Sequence, residues 1–293
     1  MKLPLRPALF LVAALALVRP AYAWWPQGHS IIAAGAVQTL PNDVPVWFRA
    51  GAGQIAHDAQ DPDVQKDKTL PLMTEREYPQ HFLDWELIGV NEPLPPTRRA
   101  FYAKCAALKL DPFDVGELPY ALAEWTGRLT MDFAEARKYP GNAYIQEKSL
   151  VTAGILSHYS GDACMPLHVT NDYDGRADAD NKSPHTGLHA RVDSLIELLD
   201  LTPDQLSVDQ TIEPLPDVWK GIESQLRETR AHIDQTYALQ DQLKPFAGDY
   251  KATPAVQAFA LERGRMASRF TAQLFLTAWR DSEKIRLPDW LKR

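Results

Sequence analysis

Leu156-Ser157-His158-Tyr159-Ser160-Gly161-Asp162-Ala163-Cys164-Met165-Pro166-Leu167-His168 is the stretch on which the reading of this chain turns. His158 and Asp162 are four residues apart, which puts them on one face of a helix. Val151 and Ile155 share that face, so it points inward. A carboxylate on an inward stripe is costly unless it is paired or holds a metal. Pro166 bends or ends the helix and re-aims His168 towards the same space.

The spacing recurs in Gly187-Leu188-His189-Ala190-Arg191-Val192-Asp193, where His189 and Asp193 border a second apolar stripe. One His/Asp pair at this spacing is ordinarily a hydrogen-bonded or ion pair. Two such pairs, with a third histidine beside the first, point to metal. Imidazole and carboxylate donors without thiolates suit zinc hydrolytic sites, which keep a position open for water. Two further segments carry ligand-type residues: Gln80-His81-Phe82-Leu83-Asp84-Trp85-Glu86, and His57 to Lys66 with Asp58, Asp61 and Asp63. Taken alone, each reads equally well as surface. Cys164 lies between candidate ligands, and its neighbours Ala163 and Met165 favour a packing role.

Outward from these motifs, helical periodicity dominates and alternating strand patterns are scarce. Helices are expected after Gly28 and over Val46–Gln54, Glu117–Lys138, Asn142–Gly161, His189–Asp200, Asp217–Leu243 and Pro254–Arg280. Loops are expected over Glu86–Arg99, Val169–Gly187 and Thr202–Pro216. The fold class is therefore all-α, a single-domain helical bundle.

The first 23 residues read as a secretory signal. Lys2 and Arg6 precede the apolar run Ala8–Val18, and Ala21-Tyr22-Ala23 is a small-x-small cleavage pattern. The run is too short to span a bilayer, which takes ~20 residues. Residues 24–293 then form an exported catalytic domain, periplasmic or secreted, without a transmembrane segment and monomeric. That mature chain has 28 basic and 38 acidic residues, a net charge of −10. Such a balance argues against a clamp on duplex DNA, whose binding rests on phosphate neutralisation. A metal-lined pocket for one or two nucleotides stays open. With only Cys105 and Cys164, no disulfide framework holds the fold, although one pairing stays possible.

The ordered motifs H-x3-D-x5-H, then H-x3-D, preceded by H-F-x-D and an N-terminal tryptophan, resemble the S1/P1 nuclease and zinc-dependent phospholipase C superfamily. The resemblance runs from Trp24 to about Leu199 and implies an all-α fold, three zinc ions and phosphodiester hydrolysis. By position, it implies that Asp63, His81, His158 and Asp162 hold one zinc, and His168, His189 and Asp193 a second. Trp24, through its free amino nitrogen and carbonyl oxygen, joins His29 and Asp162 at the third, so Asp162 bridges. The resemblance implies an aspartate followed three positions later by a basic residue, which Asp63 and Lys66 fit, with Asp61 and then Asp58 as rivals. The resemblance also gives Asp63 the role of orienting or deprotonating the attacking water. It makes Phe82 a base-stacking ring and Lys66 a substrate contact. His57, His185 and His232 fall outside the set.

Within the superfamily, His29 five residues after Trp24 and an aspartate at position 193 favour the nuclease branch. The expected substrate is single-stranded DNA or RNA, cut to 5′-phosphate ends. Phospholipid of the phosphatidylcholine type is the alternative substrate. A zinc-binding protein without turnover is the alternative of another class.

Overall fold

The computed structural model describes residues 25–243 and 250–293. The described residues are all-helical, with a single isolated bridge between Tyr173 and Gly175 and no strand. In chain order the helices are α1 (Pro26–Gln38), α2 (Val46–Ala50), α3 (Ala52–Asp58), α4 (Asp61–Val64) and α5 (Pro71–Glu77). Then come α6 (Arg98–Leu108), α7 (Pro112–Val115), α8 (Leu118–Lys138), α9 (Ala143–Asp162) and α10 (Leu188–Asp193). The last five are α11 (Leu195–Leu198), α12 (Pro203–Ser207), α13 (Val218–Arg230), α14 (Ile233–Ala238) and α15 (Pro254–Asp281).

The long helices start where their caps dictate. Asn142 accepts from the amides of Tyr144 and Ile145 at the head of α9, and Thr253 accepts from Val256 at the head of α15. Helix α9 lies at the centre, packed against α1, α3, α8 and α15. Phe48, Phe133 and Phe275 meet edge to face at the core, with ring centroids 4.9 and 5.6 Å apart. Gly154 brings α3 against α9, since a Cβ there would lie 2.5 Å from Cβ of Asp58. That close approach carries Ala59 to the central helix.

Several expected elements are built differently. The Val46–Gln54 segment breaks into α2 and α3 at Gly51, the weakest helix former after proline. The His189–Asp200 segment breaks at Ser194, whose hydroxyl donates to the Arg191 carbonyl and competes with the helix ladder. Asp217–Leu243 stops after Arg230, because tertiary contacts outweigh the apolar stripe. Thr229 donates to the Ala163 carbonyl, and the Arg230 guanidinium donates to the Val169 carbonyl and to Glu86. The segment expected as loop from Thr202 contains α12, started by Pro203 and a reciprocal Thr202/Gln205 capping box. Cys105 and Cys164 are both free and buried, so the pairing left open above is not made. Cys164 sits in the core cluster.

Candidate metal centre

Helix α9 ends at Asp162, before Pro166, and a 3₁₀ turn over Pro166–His168 follows it. His158 and Asp162, on the last turn of α9, are completely buried. His29 comes in from α1 and lies face to face with His158, ring centroids 3.8 Å apart. Gly161 makes room for it, because a Cβ there would fall 3.0 Å from His29 Nδ1. Asp63 comes from α4, His81 from the 3₁₀ turn Tyr78–His81, His168 from the turn after α9, and His189 and Asp193 from α10.

Three groups of donor atoms result: His29, His158 and Asp162; Asp63, His81 and His158; and His168, His189 and Asp193. In the second group His81 Nδ1 and His158 Nε2 are 2.9 Å apart, and Asp63 Oδ1 lies 3.9 and 3.8 Å from them. Donors held at zinc–ligand distances in a tetrahedron are separated by about 3.3 Å. In the third group His168 Nε2 is 3.1 Å from His189 Nε2, and Asp193 Oδ2 is 2.9 Å from the latter. Asp162 faces two ways, with Oδ2 3.0 Å from His81 Nδ1 and Oδ1 3.4 Å from His29 Nε2.

Proton positions follow from the partners. The Nδ1 of His158 is 2.8 Å from the Ala59 carbonyl, and that of His168 is 2.7 Å from the His81 carbonyl. A carbonyl only accepts, so each Nδ1 carries a proton, and Nε2 is the nitrogen turned to the cluster. His158 Nε2 therefore meets the His81 ring at 2.9 Å, and His168 Nε2 meets His189 at 3.1 Å. Among the described residues, no hydrogen bond reaches Asp63 Oδ2, Asp162 Oδ1 or Asp193 Oδ1, all buried. Buried, converging donors with unpaired acceptor oxygens are the chemistry of a cation site.

The electrostatics match this layout. Burial holds His81 and His168 well below the usual imidazole range, with Lys66 adding to it at His81 and His189 at His168. Burial pushes the Asp162 and Asp193 carboxyls up to about 6, although a neighbouring histidine opposes it at each. Burial works against protonation of His158, yet the Asp162 and Asp63 carboxylates outweigh it and raise its proton affinity.

Seven of the nine sequence candidates thus converge with His29, while Trp24 lies outside the described residues. The amide of its neighbour Trp25 donates to the Asp193 carbonyl at 3.2 Å, which brings the start of the described chain beside α10. Of the rival aspartates, Asp58 accepts from Gln54 at 2.7 Å, and neither Asp58 nor Asp61 joins a donor group. Lys66 folds back onto Asp63, Nζ to Oδ1 2.6 Å. Phe82 is half-buried and meets Tyr78 edge to face at 5.6 Å, while Tyr78 stacks on Phe113 at 5.4 Å. The Tyr173 ring lies 6.0 Å from the His189 ring. His185 is exposed near Asp174, and His232, just before α14, pairs with Glu228 of α13. Tyr78, Phe113 and Tyr173 carry no motif that sequence reading could use.

No protein-family profile matches the chain, and no curated protein matches it. Among solved structures it is similar to the alpha toxin from Clostridium absonum, at 12% identity and a TM-score of 0.49, over 87% of this chain and 64% of that chain. It is also similar to a Clostridium perfringens alpha-toxin from an avian strain, at 13% identity and a TM-score of 0.48, over 89% of this chain and 65% of that chain. The chain thus spans less than two thirds of the length of those toxins.

Proposed function

We propose that the protein is an exported zinc-dependent phosphodiesterase. The observation that carries this reading is the convergence of paired imidazole nitrogens on buried carboxylate oxygens that find no hydrogen-bond donor. His81, His158 and Asp63 would hold one ion, with Asp162 reaching towards it; His168, His189 and Asp193 would hold a second. His29 and Asp162 would hold a third with Trp24, once cleavage after Ala23 frees its amino group.

Bound zinc lowers the pKa of water to ~7 and stabilises negative charge on phosphoryl oxygens. The chain's own residues do the rest. Asp63, whose Oδ2 has no hydrogen bond, orients the attacking water and accepts its proton. Lys66, 13% exposed beside Asp63, neutralises a phosphate oxygen that reaches the cluster. No side-chain nucleophile is required: both cysteines are buried, and burial pushes the Cys105 thiol up to about 11 and the Cys164 thiol higher still.

For the substrate, the aromatic rings Tyr78, Phe82 and Phe113 flanking His81 support unpaired nucleic acid, since bases stack on such rings. A second reading, phospholipid, rests on the apolar residues at the start of α5, where Leu70 just before it is 54% and Leu72 in its first turn 83% exposed. Zinc-loaded protein assayed in parallel on single-stranded DNA, single-stranded RNA and phosphatidylcholine vesicles tests both. Release of 5′-phosphate oligonucleotides is expected. Lipid cleavage without nucleotide release assigns the second reading, and zinc binding without turnover of either substrate sinks the enzyme reading.

A further inference from the structure

Glu77 stands just outside the donor groups, at the end of α5 and four residues before His81. It is a buried carboxylate, and both of its oxygens are occupied. Oε1 accepts from the Tyr159 hydroxyl and lies 3.3 Å from His81 Nε2; Oε2 accepts from Gln80 Nε2 at 3.1 Å. Tyr159 belongs to α9, next to His158, so the carboxylate is tied to the same helix that supplies the central donors.

His81 is turned opposite to its neighbours. His158 and His168 give Nδ1 to a backbone carbonyl and present Nε2 to the cluster, whereas His81 presents Nδ1 and leaves Nε2 towards Glu77. Resting on the metal-centre reading above, we propose that Glu77 is the positioning residue of His81. With Nδ1 committed to a cation, the carboxylate 3.3 Å from Nε2, a buried nitrogen that otherwise has no hydrogen-bond partner, would take the Nε2 proton and direct the Nδ1 lone pair to the side of His158 and Asp63. A carboxylate behind a ligating imidazole fixes its tautomer and raises its basicity, in a way that a carbonyl partner does less strongly. The influence extends one step further, because the His81 carbonyl accepts from His168 Nδ1 and so orients a donor of the other group. Tyr159 and Gln80 keep the carboxylate in place.

The test uses the mature chain, first stripped of metal. Once zinc is restored, nitrogen-15 NMR reads the His81 tautomer directly, and Nε2–H is expected; in the metal-free chain Asp162 Oδ2, 3.0 Å from Nδ1, competes for the proton. Zinc affinity is then measured by chelator competition for the native chain, Glu77→Gln and Tyr159→Phe. Glu77→Gln is expected to weaken the tightest step affected by about 10–100-fold, and Tyr159→Phe by less, while far-UV circular dichroism stays native. Zinc-loaded native protein with His81 protonated on Nδ1, or a folded Glu77→Gln chain with native zinc affinity, overturns the assignment alone. Native protein that binds no zinc instead refutes the metal-centre reading and this assignment with it.

Discussion

Nε2 of His158 and Nδ1 of His81 face each other at 2.9 Å, with Asp162 Oδ2 3.4 Å from the first and 3.0 Å from the second. Two imidazole nitrogens and a carboxylate oxygen thus converge on one buried point. A cation shared by the three satisfies them together. Zinc added to stripped protein should therefore bind at about three ions per chain and raise the melting temperature. Each site filled at 1,000 times its Kd adds about 4 kcal/mol. Metal analysis after gel filtration, with a thermal melt, checks both; no shift on zinc addition would count against the centre.

His158 belongs to two of the three donor groups and His189 to one. His158→Ala should accordingly release two ions per chain and His189→Ala one. Metal content of the two variants distinguishes them, and equal losses would refute the shared role of His158.

Asp63→Asn should reduce kcat on bis(p-nitrophenyl) phosphate by at least about 100-fold, the scale set by losing a positioned acid–base group. Asp58→Asn, whose carboxylate is engaged by Gln54, should leave both rate and zinc content close to native. Similar losses in both variants would return the choice among the aspartates to open ground.

Phe82→Ala should raise KM for single-stranded oligonucleotides by roughly 5- to 150-fold, the equivalent of about 1–3 kcal/mol of base stacking. The small phosphodiester has no base to stack, so its kinetics should hold. Leu72→Asp is expected to spare oligonucleotide cleavage, and a selective loss of vesicle binding would favour the lipid reading.

Asp84 supplies the pH dependence. Burial, reinforced by Glu86 and Asp114 and opposed by His189 and Arg230, pushes its carboxyl up to about 8. The folded chain thus keeps a proton that the unfolded chain has lost, so stability falls as pH rises from about 4 towards 8, by up to about 1.4 kcal/mol per pH unit. Asp84→Asn removes that slope. In metal-free protein the variant should gain on the native chain steadily across this window, as thermal melts at several pH values will show.

A chain made in the cytoplasm with Met ahead of Trp24 should lose one zinc and most activity. The free amino group, pKa ~7.7–8.0, exists on Trp24 only after cleavage behind Ala23. Full zinc content in that product would dismiss the role given to the new terminus.

The sequence by itself determined the helical class and the donor types, because both depend on local periodicity. His158 with Asp162 and His189 with Asp193 each sit one helical turn apart, and that spacing survives whatever surrounds it. The preference for Asp63 over its neighbours came from the resemblance, and of the three aspartates Asp63 is the one that falls within a donor group. Only the tertiary structure decided which face of each ring meets the cluster, since that depends on carbonyls of Ala59 and His81 brought from distant segments. It decided where α13 stops, because Arg230 is captured by Val169 and Glu86, more than sixty residues away in one case and farther in the other. It also revealed Glu77: a glutamate four residues before a histidine is commonplace, and it gains meaning only when Tyr159 and a packed core remove the water around it. Spacing fixes what a helix presents, and burial fixes what that face can do.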